Sequence, residues 1–213
     1  MLKLKLPAKG TLVPTDETDP VSYYYHPLVG WLYRARIDLG LSLLEYPVDT
    51  ILETGCASGL LMPTLKSVAK KYVGIDIVSS PNSPSVDSDG LVVHKMDVSK
   101  MSFDDESFDA VVAFSIFEHL PALGAALAEV ARVLKPGGQL IAGFPQVSPF
   151  MNAWFDILGC PEAKKNHINQ PGKIMETLAA IFRIETVRTL PPFLGPRTAL
   201  YTCVKCVKIG KGS

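Results

Sequence analysis

Neither sign of charge is in excess in this 213-residue chain: 21 lysines and arginines face 21 aspartates and glutamates. A surface dominated by basic charge, the footprint of nucleic-acid binding, is therefore not expected. No apolar run approaches the ~20 residues that a membrane-crossing helix needs, because charges interrupt each one. The opening Met1–Pro7 alternates leucine with lysine and has no apolar core for a signal peptide, so a cytoplasmic location is the default expectation. Cysteine is scarce, with four residues. Cys203 and Cys206 have C-x-x-C form, but a zinc site needs a second ligand pair and none is evident. The two also sit in an apolar run, 199–207, that reads as a strand, where residues three apart point to opposite faces. No internal repeat is visible.

What is present suits one domain with a full core, since 47% of the residues are hydrophobic. Residues 1–45 read as an N-terminal arm, loose to about residue 20, followed by capping helices that carry Tyr23, Tyr24, Tyr25, Trp31 and Tyr33. Residues 46–213 read as a single domain in which strands and helices alternate, the pattern of a parallel sheet. Strands are expected at 50–54, 72–77, 91–96, 108–114 and 140–144, with helices at 60–70, 121–134 and 173–182. The run 79–90 is too rich in serine, proline and aspartate to make a helix. Ser148, Pro149 and Gly159 frame a further helix with an apolar i, i+3, i+4, i+7, i+8 face, read as core packing, a lid over the substrate or a dimer contact.

The most telling segment is Glu53-Thr54-Gly55-Cys56-Ala57-Ser58-Gly59. An apolar strand ends in an acid, small residues recur at every second position, and a helix follows. That is where an open α/β sheet receives a nucleotide-like ligand. Cys56 is most simply a small buried filler. The dinucleotide fingerprint G-x-G-x-x-G is not met, because position 60 is leucine. Asp76 and Asp97 each close or follow a later strand, and 107–120 reads as a strand running into Glu118-His119.

These elements, in this order and spacing over about residues 50–145, resemble the class I S-adenosylmethionine-dependent methyltransferases, in particular the small-molecule branch with the ubiquinone and menaquinone biosynthesis enzymes. The resemblance implies a Rossmann-like three-layer sandwich. Its sheet is seven-stranded and mostly parallel, with an antiparallel C-terminal hairpin expected at 183–190 and 197–207. It also implies S-adenosyl-L-methionine as cofactor, S-adenosyl-L-homocysteine as product and a small-molecule methyl acceptor. Gly55, Cys56, Ala57 and Gly59 would then approach the cofactor through backbone, and Glu53 would lie near the methionine ammonium or cap loop amides. Asp76, with Ile77 beside it, would take the ribose hydroxyls. Asp97, flanked by Met96 and Val98, would take the adenine amino group. Phe114 and Ser115 would face the methionine half, and Phe114 or a tyrosine of 23–25 could set an aromatic face near the sulfonium.

His119 is the candidate general base, because imidazole titrates near neutral pH; His167 is a second histidine that could approach the substrate. Some quinone-pathway relatives hold a divalent metal here through two acids and a histidine. Ser115 stands where the first acid would be, so no metal is expected. The apolar helical segments suggest an apolar or aromatic acceptor. Two rivals remain at this level: a protein that binds the cofactor without catalysis, and a nicotinamide dehydrogenase, which the early third small residue disfavours.

Overall fold

The structure is a computed structural model that describes residues 1–16, 19–78, 91–146, 168–193 and 199–210. The candidate lid helix at 148–159, the 79–90 crossover, Cys160 and His167 lie outside the described residues.

Strands β1 (Val48–Thr54), β2 (Ala69–Asp76), β3 (Leu91–Lys95), β4 (Phe108–Phe114) and β5 (Leu134–Pro145) run parallel. Strands β6 (Phe182–Leu190) and β7 (Tyr201–Lys208) complete the sheet as an antiparallel pair, with β7 against β5. The sheet order is β3-β2-β1-β4-β5-β7-β6. The chain thus moves outward from β1 on one side, returns, and continues from β4 on the other. A crevice at the carboxyl ends of β1 and β4 follows from that reversal. The expected sheet, mostly parallel with an antiparallel hairpin, is the one observed.

The central strands are covered on both faces, which is why they read as nearly unbroken apolar runs. On one face Leu52, Val73, Val111 and Leu140 meet α4 (Leu123–Val133) and α5 (Pro171–Ile181) through Leu127, Val130, Ile174 and Leu178. On the other, Ile51, Tyr72, Val112 and Ile141 meet α2 (Gly30–Leu41) and α3 (Met62–Lys66) through Ile37, Leu41 and Leu65. Cys203 belongs to the second cluster and Cys206 to the first, so their side chains do point to opposite faces.

Three local differences from expectation have physical causes. Helix α3 is far shorter than 60–70, because β2 already begins at Ala69. Leu134 turns extended directly after α4, so β5 begins there and takes in Pro136, Gly137 and Gly138 instead of starting at residue 140. The N-terminal arm is not loose over its first residues: Leu2 is buried, Leu4 N donates to Asp38 Oδ1 at 2.7 Å, and Lys5 N donates to Thr64 Oγ1 at 2.8 Å. Tyr25 Oη, from the turn after α1 (Val21–Tyr24), donates to Pro7 O at 2.9 Å and ties down the same strap.

Candidate functional site

The loop after β1 is a chain of left-handed residues: φ is +72° at Gly55, +41° at Ala57 and +84° at Gly59. Glycine is needed at the first of these for two reasons. The backbone is left-handed, and a Cβ would stand 2.3 Å from Cγ2 of Ile116. Ala57 has no such freedom and is strained. Its amide is fixed from outside the loop: Ala57 N donates to Asp76 Oδ2 at 2.9 Å. Val78 N donates to Asp76 Oδ1, also at 2.9 Å. Each carboxylate oxygen therefore holds one backbone donor and keeps acceptor capacity for another. Ile77, next to it, is apolar and leaves 66% of its surface exposed.

Glu53 is buried and does not cap the loop amides. Its Oε2 accepts from Tyr72 Oη at 2.6 Å, and burial, helped by the nearby Asp76 charge, pushes its carboxyl up to about 8. Cys56 is buried, and its thiol is pushed up, first by burial and then by Glu53 and Asp76, so it is an inert filler. Asp97 is exposed and partly committed: its Oδ1 accepts from Ser99 N and Oγ, both at 2.8 Å, which lowers its carboxyl and leaves Oδ2 without a partner among the described residues. Met96 N donates to Asp76 O, and Val98 is in the core, so both present backbone at this position.

Across the crevice, β4 ends at Phe114. Its ring fills the room left by two glycines, because a Cβ on Gly40 or on Gly143 would overlap it. Ser115 is left-handed, with φ +56°, and its Oγ lies 2.9 Å from Tyr201 Oη. A short 3-10 turn, Phe117–His119, follows. The side chain of His119 is 43% exposed, whereas that of Glu118 is 2% exposed, and the two approach to 3.9 Å. Burial pushes Glu118 up to about 7, with Arg36 pulling the other way.

Sequence reasoning missed Arg36. Its guanidinium carbon lies 4.3 Å from the Tyr33 ring centroid, 5.4 Å from Tyr201 and 5.6 Å from Tyr24, and Nη2 donates to Tyr24 Oη at 3.1 Å. The i, i+3 spacing of Tyr33 and Arg36 on α2 was the available signal. The three tyrosines 23–25 have contacts of their own: Tyr24 walls Arg36, Tyr23 stacks on Tyr33, and Tyr25 holds the arm. A hollow of about 270 Å³, lined by Thr50, Lys71, His94 and Asp104 among others, opens at the amino ends of the strands. Ligands in open α/β sheets sit at the opposite end.

Residues 52–142 match the family model described as a methyltransferase domain. The ubiquinone biosynthesis O-methyltransferase of Hahella chejuensis is 30% identical over 115 residues, which are 49% of this chain and 47% of that protein. The chain spans about half, or less, of the length of the curated relatives it matches. Among solved structures, the N-methyltransferase NodS of Bradyrhizobium japonicum WM9, crystallised with S-adenosyl-L-homocysteine, superposes with a TM-score of 0.63 at 16% identity, covering 92% of this chain and 94% of NodS. The [4+2]-cyclase SpnF superposes with a TM-score of 0.64 at 19% identity, covering 84% of this chain and 83% of SpnF. At such identities the superpositions establish the fold. Together with the domain match, the comparisons support S-adenosyl-L-methionine as the cofactor.

Proposed function

We propose that this chain, which carries a class I S-adenosylmethionine-dependent methyltransferase domain, moves a methyl group from that cofactor to a small-molecule acceptor. The observation that carries the reading is Asp76. Its carboxylate organises the left-handed loop through Ala57 and keeps an acceptor position on each oxygen, as two ribose hydroxyls require. Ile77 offers an apolar surface for the adenine, and Oδ2 of Asp97 an acceptor for its amino group. Gly55, Cys56, Ala57 and Gly59 contribute backbone, and Glu53 sits where the methionine ammonium would enter. Met96 and Val98 flank the ring by backbone, and Phe114 and Ser115 border the methionine half.

The bound cofactor supplies a methyl carbon made electrophilic by a cationic sulfur. The chain's own task is positioning, and alignment alone is worth up to about 7–11 kcal/mol. An acceptor enters over the end of β4, against the tyrosine-rich wall of α1 and α2, which suits an aromatic or apolar body. Where the attacking atom must lose a proton, we assign its removal to Glu118-His119, one buried and one reaching solvent. Two of the three proteins named above are an O- and an N-methyltransferase, which favours an oxygen or nitrogen nucleophile; the third is a cyclase.

The test is incubation of the purified protein with methyl-labelled S-adenosylmethionine and a metabolite extract, read by mass spectrometry. Labelled products heavier by one methylene are expected. Tight cofactor binding with no labelled product from any fraction would select the non-catalytic cofactor-binding protein instead.

A further inference from the structure

Among the described residues, three buried side-chain atoms lack a hydrogen-bond partner: Arg36 Nε, Glu118 Oε2 and Asn169 Oδ1. They belong to one neighbourhood. Asn169 is tied to the 3-10 turn, its Nδ2 donating to Phe117 O at 2.9 Å and Leu120 O at 2.7 Å, and its backbone N to Glu118 O at 3.0 Å. Tyr201 links the other two, since Arg36 lies against its ring and Ser115, three residues before Glu118, bonds its hydroxyl. The neighbourhood sits at the carboxyl ends of β4 and β5, because Tyr201 pairs with Pro145. A buried polar atom without a partner is costly, and native proteins tolerate few. Three in one place, beside a crevice, call for a common cause.

Their chemistry is complementary in kind. One is a donor on a cation and two are acceptors. No described carboxylate lies within ion-pair distance of Arg36. Three aromatic rings flank its guanidinium, which restrains the plane and leaves the in-plane N–H edge as the place for a partner. That edge is the one that takes an oxyanion bidentately.

We propose that Arg36, Glu118 and Asn169 form the acceptor subsite, and that the acceptor is a small molecule with an oxyanion for Arg36 and a hydroxyl or amine for Glu118. This rests on the methyl-transfer reading for the word acceptor, but not for the binding itself. The oxyanion is a carboxylate or a phosphate. The hydroxyl or amine is the nucleophile, so recognition and reaction occupy the two ends of one ligand.

The experiment measures binding of four probes by calorimetry, first to protein saturated with S-adenosyl-L-homocysteine and then to the protein alone. The probes are 3-hydroxybenzoate, its methyl ester, benzoate and phenyl phosphate. The acid is expected to bind at least about tenfold more tightly than its ester, and benzoate more weakly than 3-hydroxybenzoate. Phenyl phosphate against benzoate tells which oxyanion fits. Arg36→Met should erase the acid–ester difference while affinity for S-adenosyl-L-homocysteine stays within about twofold. If Arg36→Met does not fold, Arg36→Lys serves, since it keeps the charge, loses the fork and should narrow the difference. Equal binding of acid and ester, a difference that survives in the variant, or no oxyanion bound by about 10 mM would each overturn the proposal and leave a purely structural cluster. Failure of S-adenosyl-L-homocysteine to bind would count against the methyl-transfer reading alone, because the probe comparison is repeated without it.

Discussion

The two walls of the crevice are built on different principles. On the β1–β2 side, the groups bordering the crevice are mostly backbone, and each acid already has a partner: Asp76 holds two amides and Glu53 holds a phenol. On the β4–β7 side, the groups are side chains, and three of their polar atoms have nothing to bond. Each wall has one buried acid raised by its burial, Glu53 to about 8 and Glu118 to about 7. Only the second has an orphaned oxygen. In the proposed reading, the first wall meets its ligand through shape, and the second through unmet bonds. A cofactor common to a fold needs the former; a particular acceptor needs the latter.

The comparison breaks most sharply at Gly55. Gly55→Ala combines a left-handed backbone with a methyl 2.3 Å from Ile116 Cγ2, a branched chain with little room to move. Strain and overpacking together should cost about 2–4 kcal/mol, read as a lower Tm and loss of measurable S-adenosyl-L-homocysteine binding in calorimetry. Asp76→Asn keeps the shape but removes the charge that strengthens each acceptor. Affinity for the same ligand should fall by about 1.5–3 kcal/mol, and an unchanged value would remove Asp76 from the site.

A milder perturbation tests the acid of the cofactor wall. Below about 8, Glu53 is neutral in the free protein. If its ionised form meets the methionine ammonium, binding releases a proton. Affinity then rises with pH between 6 and 8, by as much as about tenfold per unit. Glu53→Gln cannot ionise, so its affinity should be lower and flat over that range. A flat wild-type profile would separate Glu53 from the ammonium.

The parts of the proposed cofactor wall were legible in the sequence because they are local. Gly55, Ala57 and Gly59 declare a turn, and Asp76 follows one crossover later. Strand β4 was readable to the residue, since its apolar run is bounded by polar residues on one side and a turn on the other. The proposed acceptor wall is assembled from α2, β7 and the end of β4; Cys203 Sγ, for instance, donates to Arg36 O across 167 positions. No short-range pattern carries such a meeting. The arm was misjudged for a similar reason: its amides find partners on Asp38 and Thr64, which no local periodicity announces.

The acid of the acceptor wall should reveal itself through stability. A carboxyl whose folded value is raised to about 7 contributes most below its unfolded value and loses that contribution as pH rises through 7. Glu118→Gln mimics the neutral form, so variant and wild type should differ little near pH 4.5 and diverge towards pH 8 in the variant's favour. Loss of the Glu118 charge near Arg36 offsets part of the gain. A net of about 1 kcal/mol, or 2–4 °C in Tm at pH 8, is expected. Parallel Tm profiles would mean that the Glu118 carboxyl has the same value in the folded and unfolded chain.

The smallest effect is on the cofactor wall and asks whether its strain serves a purpose. Ala57 is held at φ +41° by its bond to Asp76, a conformation that costs an alanine about 1–2 kcal/mol. Glycine removes that cost but adds freedom to the unfolded chain, worth about 0.5–1 kcal/mol in the other direction. Ala57→Gly should therefore gain only about 0.5 kcal/mol in chemical unfolding, close to the smallest resolvable difference. The informative reading is the pair of measurements. If S-adenosyl-L-homocysteine affinity is unchanged while stability rises, the methyl is an accident that the fold tolerates. If affinity falls although the strain is gone, the alanine is holding the loop in the ligand-ready shape. Preorganisation of the backbone would then extend to the one residue in the turn that resists it.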